Sequence, residues 1–436
     1  MDYNNENLFK ILNEKKYENN FCVKKTANNK IVFINILSFV ILIILFQVIP
    51  IKIYGKFIYY YICFGIWYIS TVFIDASWIK KTYPILISIL LFLIINTIWT
   101  IIRFDQYFVE RFFQNYFLFM FWPLFYIFYK DNFSKLFFKR FSIFQISLIL
   151  IFCISTIIGL KYYPSASREM ATINISFDNM ILYAKNGIGG FDFVYSLVFL
   201  QIPLLCIIFT KNKNYNKIYI CIMLILDYLA IYSANYTISL LLSSLALLLF
   251  LICYFLNYNI KYILIYISLL LIFLYIFRFI LIKSAISFFE LKDKTLYIRR
   301  LNEIYAALKN NDILNLERFQ LYKESIDTFL KNPFVGTLFN ESELIGQHSD
   351  IFDNLGRFGM FSIIYFSYYY FAFNIIRRLY KNYKIKCMFT VVEILLFVLR
   401  LCNPILASYD LGLYIFFIIP MIFLVIDKNT PRDLFI

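Results

Sequence analysis

About twelve runs of apolar residues, each long enough to cross a bilayer as a helix, divide this chain of 436 residues. They fall at 31–50, 57–74, 84–102, 112–129, 141–160, 191–210, 216–233, 237–256, 260–282, 355–376, 386–403 and 406–426. A hydrocarbon core about 30 Å thick is spanned by about 20 apolar residues in a helix. Inside it every backbone N–H and C=O needs a partner within the protein, so such runs become helices. Hydrophobic residues make up 61% of the chain and charged residues 16%. The expected fold is an all-α polytopic membrane protein, with residues 1–30 as a polar tail and 31–436 as a single transmembrane domain. Pro50, Pro84 and Pro404 are expected at span ends, where the missing N–H costs least.

The formal charge of +15 would suggest nucleic acid in a soluble protein. Here its distribution argues otherwise. With the N-terminus inside, 23 Lys and Arg fall in the tail and the inner segments, and 7 fall in the short and medium outer loops. That is the positive-inside pattern, and it predicts a cytoplasmic N-terminus and C-terminus. The tail is too long and too charged for the n-region of a signal peptide. Two long loops, 161–190 and 283–354, then lie outside, the larger between the ninth and tenth spans. An external site has no access to cytoplasmic ATP or nucleotide sugars. The eight cysteines contain no CxxC pair, which argues against disulfides and against a thiolate metal site. There is no Walker A motif, no internal repeat and no acidic DxD pair.

The single histidine, His348, lies in the most polar part of the larger loop, Gly346-Gln347-His348-Ser349-Asp350. Its ordinary pKa makes it the best candidate for proton transfer, with Asp350 or Asp353 as the group that orients it or raises its pKa. Upstream, Phe319, Tyr322, Ile326 and Phe329 recur at helical spacing, and Arg318, Tyr322 and Ser325 share one side of that helix. Asn332-Pro333 ends it. Asp353 and Arg357 are four apart and suited to pair. In the other outer loop Arg168 is a second candidate phosphate contact, and the glycines of Gly187-Ile188-Gly189-Gly190 permit close backbone approach. Asp227, Arg278, Glu393 and Arg400 fall inside spans, where ionisable groups are costly. Arg278 and Arg400 are candidates for an outer cavity or for snorkelling, with Asp227 and Glu393 as their expected partners.

The segments Arg318 to Gly336, Ile345-Gly346-Gln347-His348-Ser349, Asp353 to Gly359, Arg168-Glu169-Met170-Ala171 and Ile188-Gly189-Gly190-Phe191 together resemble the Wzy-type O-antigen and capsule repeat-unit polymerases and the related O-antigen ligases. Gln347 departs from the resemblance, standing where a second glycine is more usual, and Ser349 after the histidine tilts it toward a polymerase. The resemblance implies a GT-C-like membrane glycosyltransferase of the bacterial inner or plasma membrane, working without metal or cofactor. Its substrate would be an oligosaccharide on undecaprenyl diphosphate, in contact with membrane lipid, beside flippase and chain-length regulator proteins. It also implies roles. His348 and Arg318 would be catalytic, with His348 acting as base or as positioner of the acceptor hydroxyl. Arg168, Arg318 and Arg278 would hold the diphosphate, and Asp353, Tyr322 and Arg357 would support them. A ligase is the alternative within the class. A lipid-linked glycan flippase is the alternative outside it, though such transporters usually show matched halves and short loops.

Overall fold

The computed structural model describes residues 28–52, 57–172, 175–210, 214–291, 295–339, 344–405 and 409–427. The expected tail over residues 1–30 lies almost wholly outside them. The described chain is helical, with no β-strand among its residues. In order it runs α1 (Asn29–Gln47), α2 (Phe57–Ile74), α3 (Ser77–Arg103), α4 (Trp122–Asn132) and α5 (Lys135–Tyr162). Then come α6 (Phe177–Lys185), α7 (Phe191–Phe209), α8 (Lys217–Ser233), α9 (Thr237–Phe255), α10 (Ile260–Glu290) and α11 (Thr295–Lys309). The last are α12 (Glu317–Lys331), α13 (Asp350–Phe358), α14 (Ser362–Arg378), α15 (Tyr383–Cys402) and α16 (Asp410–Ile426). Among the described residues eight helices are long and apolar enough to cross a membrane, with α13 and α14 counted as one.

Polar residues set the helix starts. The side chains of Asn28, Ser134, Asn216, Asn259, Ser349 and Asn382 each accept a bond from a backbone N–H in the first turn that follows. Such a cap contributes about 1 kcal/mol and satisfies donors the helix itself cannot. Pro84 is not at a span end as expected. It sits inside α3, which starts at Ser77. The polar Lys80-Lys81 turn that precedes it hides the helix from a hydropathy reading. Likewise α10 runs to Glu290, past the expected end at residue 282.

Two helices form the centre. In α7, 83% of the apolar window is buried, and α16 is buried along its length. Around α7 pack α8, α9, α15 and α16. At the other extreme, only 7% of the α10 window is buried, and it touches α9 and α11. The amphipathic α12 lies against α13, and α13 against the end of α15. The segment before α4 contains a π-helical turn, Phe112–Phe117, which carries Tyr116 to Asn354 of α13 (2.8 Å).

Candidate functional site

The loop that carries His348 is pinned at both ends. Gly346 lies against the backbone of α12, where a Cβ on it would stand 1.9 Å from the Leu321 carbonyl oxygen. Gly356 does the same for α13, with an added Cβ 2.7 Å from the Ser325 carbonyl oxygen. This close approach lets side chains close a polar ring. Ser325 Oγ donates to Asp353 Oδ1 at 2.7 Å and accepts from the Gly346 N–H at 3.0 Å. The Ser349 N–H donates to Asp353 Oδ2 at 3.2 Å. Ser349 Oγ caps α13 through Phe352 N and donates to the Arg400 carbonyl (3.2 Å each). Gln347 takes a φ of +58°, the left-handed region that glycine enters without strain. Gln347 therefore sits where glycine fits the backbone best. Gln347→Gly is expected to leave activity intact and to hold or raise stability, by at most about 1 kcal/mol. Thermal unfolding in detergent measures it.

His348 is half-buried in this frame, and no hydrogen bond or ion pair ties its imidazole to any described residue. Burial, and next the nearby Arg318 guanidinium, hold it below the usual imidazole range; Asp353 and Glu317 act more weakly the other way. Neither Asp350 nor Asp353 orients the ring by a hydrogen bond, and of the two only Asp353 acts to raise its pKa, against the larger effects of burial and Arg318. The Asp353 carboxylate oxygens are held by Ser325 and the Ser349 N–H, so its bonds shape the loop. Asp350 is fully buried beneath the loop on Arg400. Arg357, one turn beyond Asp353, is also buried and acts electrostatically on its carboxylate.

Arg318 and Tyr322 share a face of α12, as the spacing requires, and both reach the end of α15. Arg318 Nη1 donates to the Cys402 carbonyl (2.8 Å) and to Asn403 Oδ1 (3.1 Å); the Tyr322 hydroxyl donates to the same carbonyl (3.1 Å). Asn403 Nδ2 then donates to the Tyr195 hydroxyl (2.9 Å). Tyr195 lies 5.9 Å, ring to ring, from Tyr236. The Tyr236 hydroxyl donates to the Ser167 carbonyl, and both Arg168 and Asp192 lie within electrostatic reach of it. Hydrogen bonds thus run from Arg318 to Tyr195, the Tyr195 and Tyr236 rings meet, and Arg168 lies within electrostatic reach of Tyr236. Ser167 Oγ donates to the Gly189 carbonyl (2.7 Å) and Gly189 N to Thr156 (2.8 Å), which fixes this second loop on α5 and α7.

Three residues at this end escaped the sequence reading. Lys52 bridges Asp192 (2.7 Å) and Asp410 (2.6 Å), joining the segment after α1 to the first turns of α7 and α16. The only sequence signal is an aspartate just inside each of two apolar helices. Arg278 is not brought to the site. It lies on peripheral α10, its guanidinium bonded to the Tyr275 carbonyl one turn away (2.6 Å) and placed over the Tyr275 ring (4.3 Å). The partners expected for the buried charges also differ. Arg400 pairs with Asp350 (2.7 Å), and Glu393 pairs with Arg377 (3.3 Å). Among the described residues Asp227 has no hydrogen-bond partner for either carboxylate oxygen. Sequence distance concealed these pairings, because they join α15 to α13 and to the end of α14.

Among the described residues no three His, Cys, Asp or Glu side chains gather as a metal site. Comparisons with family models, with curated proteins and with solved structures give no match to this chain.

Proposed function

We propose that the chain is a repeat-unit polymerase. It would join oligosaccharides carried on undecaprenyl diphosphate into O-antigen or capsular polysaccharide at the outer face of the bacterial inner or plasma membrane. In this reading all twelve apolar stretches cross the bilayer in a GT-C-like bundle. Both termini are cytoplasmic, and the end bearing His348 faces outward. The observation that carries the reading is the His348–Arg318 pair. It sets an imidazole with no hydrogen bond to any described residue within electrostatic reach of the Arg318 guanidinium, and the Arg168 loop meets the same end of α7 through Tyr236.

The acceptor sugar hydroxyl attacks the anomeric carbon of the donor glycan. A new C–O glycosidic bond forms as the bond from that carbon to the diphosphate oxygen breaks. The hydroxyl proton passes to His348, and the leaving diphosphate takes the bonding electron pair. Arginines suit such a leaving group because they hydrogen-bond phosphate in bidentate fashion and offset its developing charge. The phosphate-linked donor supplies the free energy, so no external nucleotide is needed. Tyr236 and Phe191, both partly exposed, supply flat faces for sugar rings.

The imidazole has its proton affinity lowered, so its basic form persists further into acid. Activity should be level through neutrality and should fall only below the ordinary histidine value of about 6.5. The deciding experiment deletes the gene, complements it with wild-type or His348→Ala protein, and resolves the surface glycan on gels. A polymerase gives single repeats in the deletion strain and with His348→Ala, and a ladder with wild type. Long glycan stranded on the lipid carrier would indicate a ligase instead. Unchanged ladders with His348→Ala would overturn the site. The acid limb is read with purified protein and lipid-linked repeats.

A further inference from the structure

A buried ion pair lies beneath the site rather than at its border. Asp350 is wholly inaccessible and Arg400 5% exposed, and Arg400 Nε lies 2.7 Å from Asp350 Oδ2. The Tyr365 hydroxyl lies 3.1 Å from each Asp350 oxygen, and Asn354 Nδ2 lies 3.2 Å from Oδ1. The Arg400 guanidinium stacks on Tyr369, with Cζ 3.7 Å from the ring centre. A buried ion pair is weak evidence for stability, since desolvation offsets most of its attraction. Its placement calls for a different account.

Asp350 is two residues past His348, and Arg400 is two residues before Cys402, whose carbonyl receives Arg318 and Tyr322. The backbones are tied as well. Ser349 Oγ donates to the Arg400 carbonyl (3.2 Å), and Asp350 N to the Asn403 carbonyl (3.3 Å). One pair of side chains therefore sets the loop holding the imidazole and the helix end holding the guanidinium in a single register. We propose that Arg400 is a positioning residue, which acts through Asp350 and Ser349 to hold the His348 loop in register with the end of α15 that receives Arg318. The proposal rests on the reading of His348 as the working group. Arginine is needed because a planar guanidinium can stack on Tyr369 and direct Nε at the carboxylate together, which a lysine ammonium cannot do.

Because the chain has one histidine, the imidazole reports its own position. The test uses full-length protein purified through a histidine-free tag, with 13C-labelled histidine titrated by NMR in detergent. Arg400→Lys should move the His348 midpoint up toward about 6.5, the value of an unperturbed imidazole. It should also lower kcat at least tenfold with little change in KM. Glu393→Gln, which breaks the other ion pair on α15, should leave the midpoint where it is. A folded Arg400→Lys protein with the wild-type midpoint overturns the proposal. Where Arg400→Lys does not fold, Asp350→Asn is read by the same criterion. If neither folds, the pair is a folding determinant and the positioning role fails. The titration reads position whatever reaction the protein catalyses. A shifted midpoint in a protein without polymerase activity would therefore reject the function while keeping the register.

Discussion

Gly346→Ala should abolish the proposed glycan polymerisation and destabilise the protein by about 3 kcal/mol, the upper end of ordinary overpacking. The added methyl carbon would stand 1.9 Å from Leu321 O, 2.5 Å from its carbonyl carbon and 2.9 Å from its Cα. All three are backbone atoms of a regular helix, so no side chain can swing aside. The loop must lift off α12, and the bond from Gly346 N to Ser325 Oγ is lost with it. Ser325 in turn positions Asp353, and Asp353 receives the N–H of the residue after His348. The damage thus passes to the imidazole through two hydrogen bonds. Gly65→Ala is the matched control. Nothing lies within 4 Å of a Cβ at Gly65, in the middle of α2, and alanine is the better helix former by about 1 kcal/mol. Detergent melting curves and glycan ladders for the two variants, side by side, make the comparison. A Gly346→Ala protein with wild-type ladders would mean that the contact between loop and α12 does not matter to function.

The helices were legible because hydropathy in a membrane chain is a strong and local signal. The stripe through Phe319, Tyr322, Ile326 and Phe329 lies inside α12, and the stop at Asn332-Pro333 falls directly after its last residue, Lys331. That local periodicity also put Arg318, Tyr322 and Ser325 on one face, and all three turn toward α13 and the end of α15. What the sequence concealed is pairing over long separations. Asp350 and Arg400 are 50 residues apart, and Lys52 reaches an aspartate 358 residues away. No periodicity encodes such contacts. Each follows from how helices cross, and buried charges accept whichever partner the crossing supplies. The same reason explains Asp353. Its position four before Arg357 suggested a simple pair, yet its oxygens are held by Ser325 from another helix and by the backbone of Ser349. Arg278 misled for the opposite reason. Its position in the sequence fits an outer cavity, but α10 is the helix least enclosed by the bundle.

Arg318→Lys should lower the turnover of lipid-linked repeats by about 10²-fold, and Arg318→Ala by more, the range found when a donor to developing charge is removed. Both bonds from Arg318 to the end of α15 use Nη1. That anchorage fixes the plane of the guanidinium while other N–H donors of its fork remain for a diphosphate. A lysine that kept the Cys402 and Asn403 contacts would spend its compact ammonium on them and could not grip a second group in a set direction. Arg168→Lys should cost less. Its proposed role as a phosphate contact comes from its electrostatic reach to Tyr236, and among the described residues no comparable double anchorage orients it. Arg278→Lys should cost nothing, because its guanidinium is satisfied on its own helix. The order Arg318, then Arg168, then Arg278 is therefore the expected rank of loss. Single-turnover rates with purified protein and lipid-linked repeats measure it. Equal rates for Arg318→Lys and wild type would remove the guanidinium from the chemistry and leave Arg318 as a tether between α12 and α15.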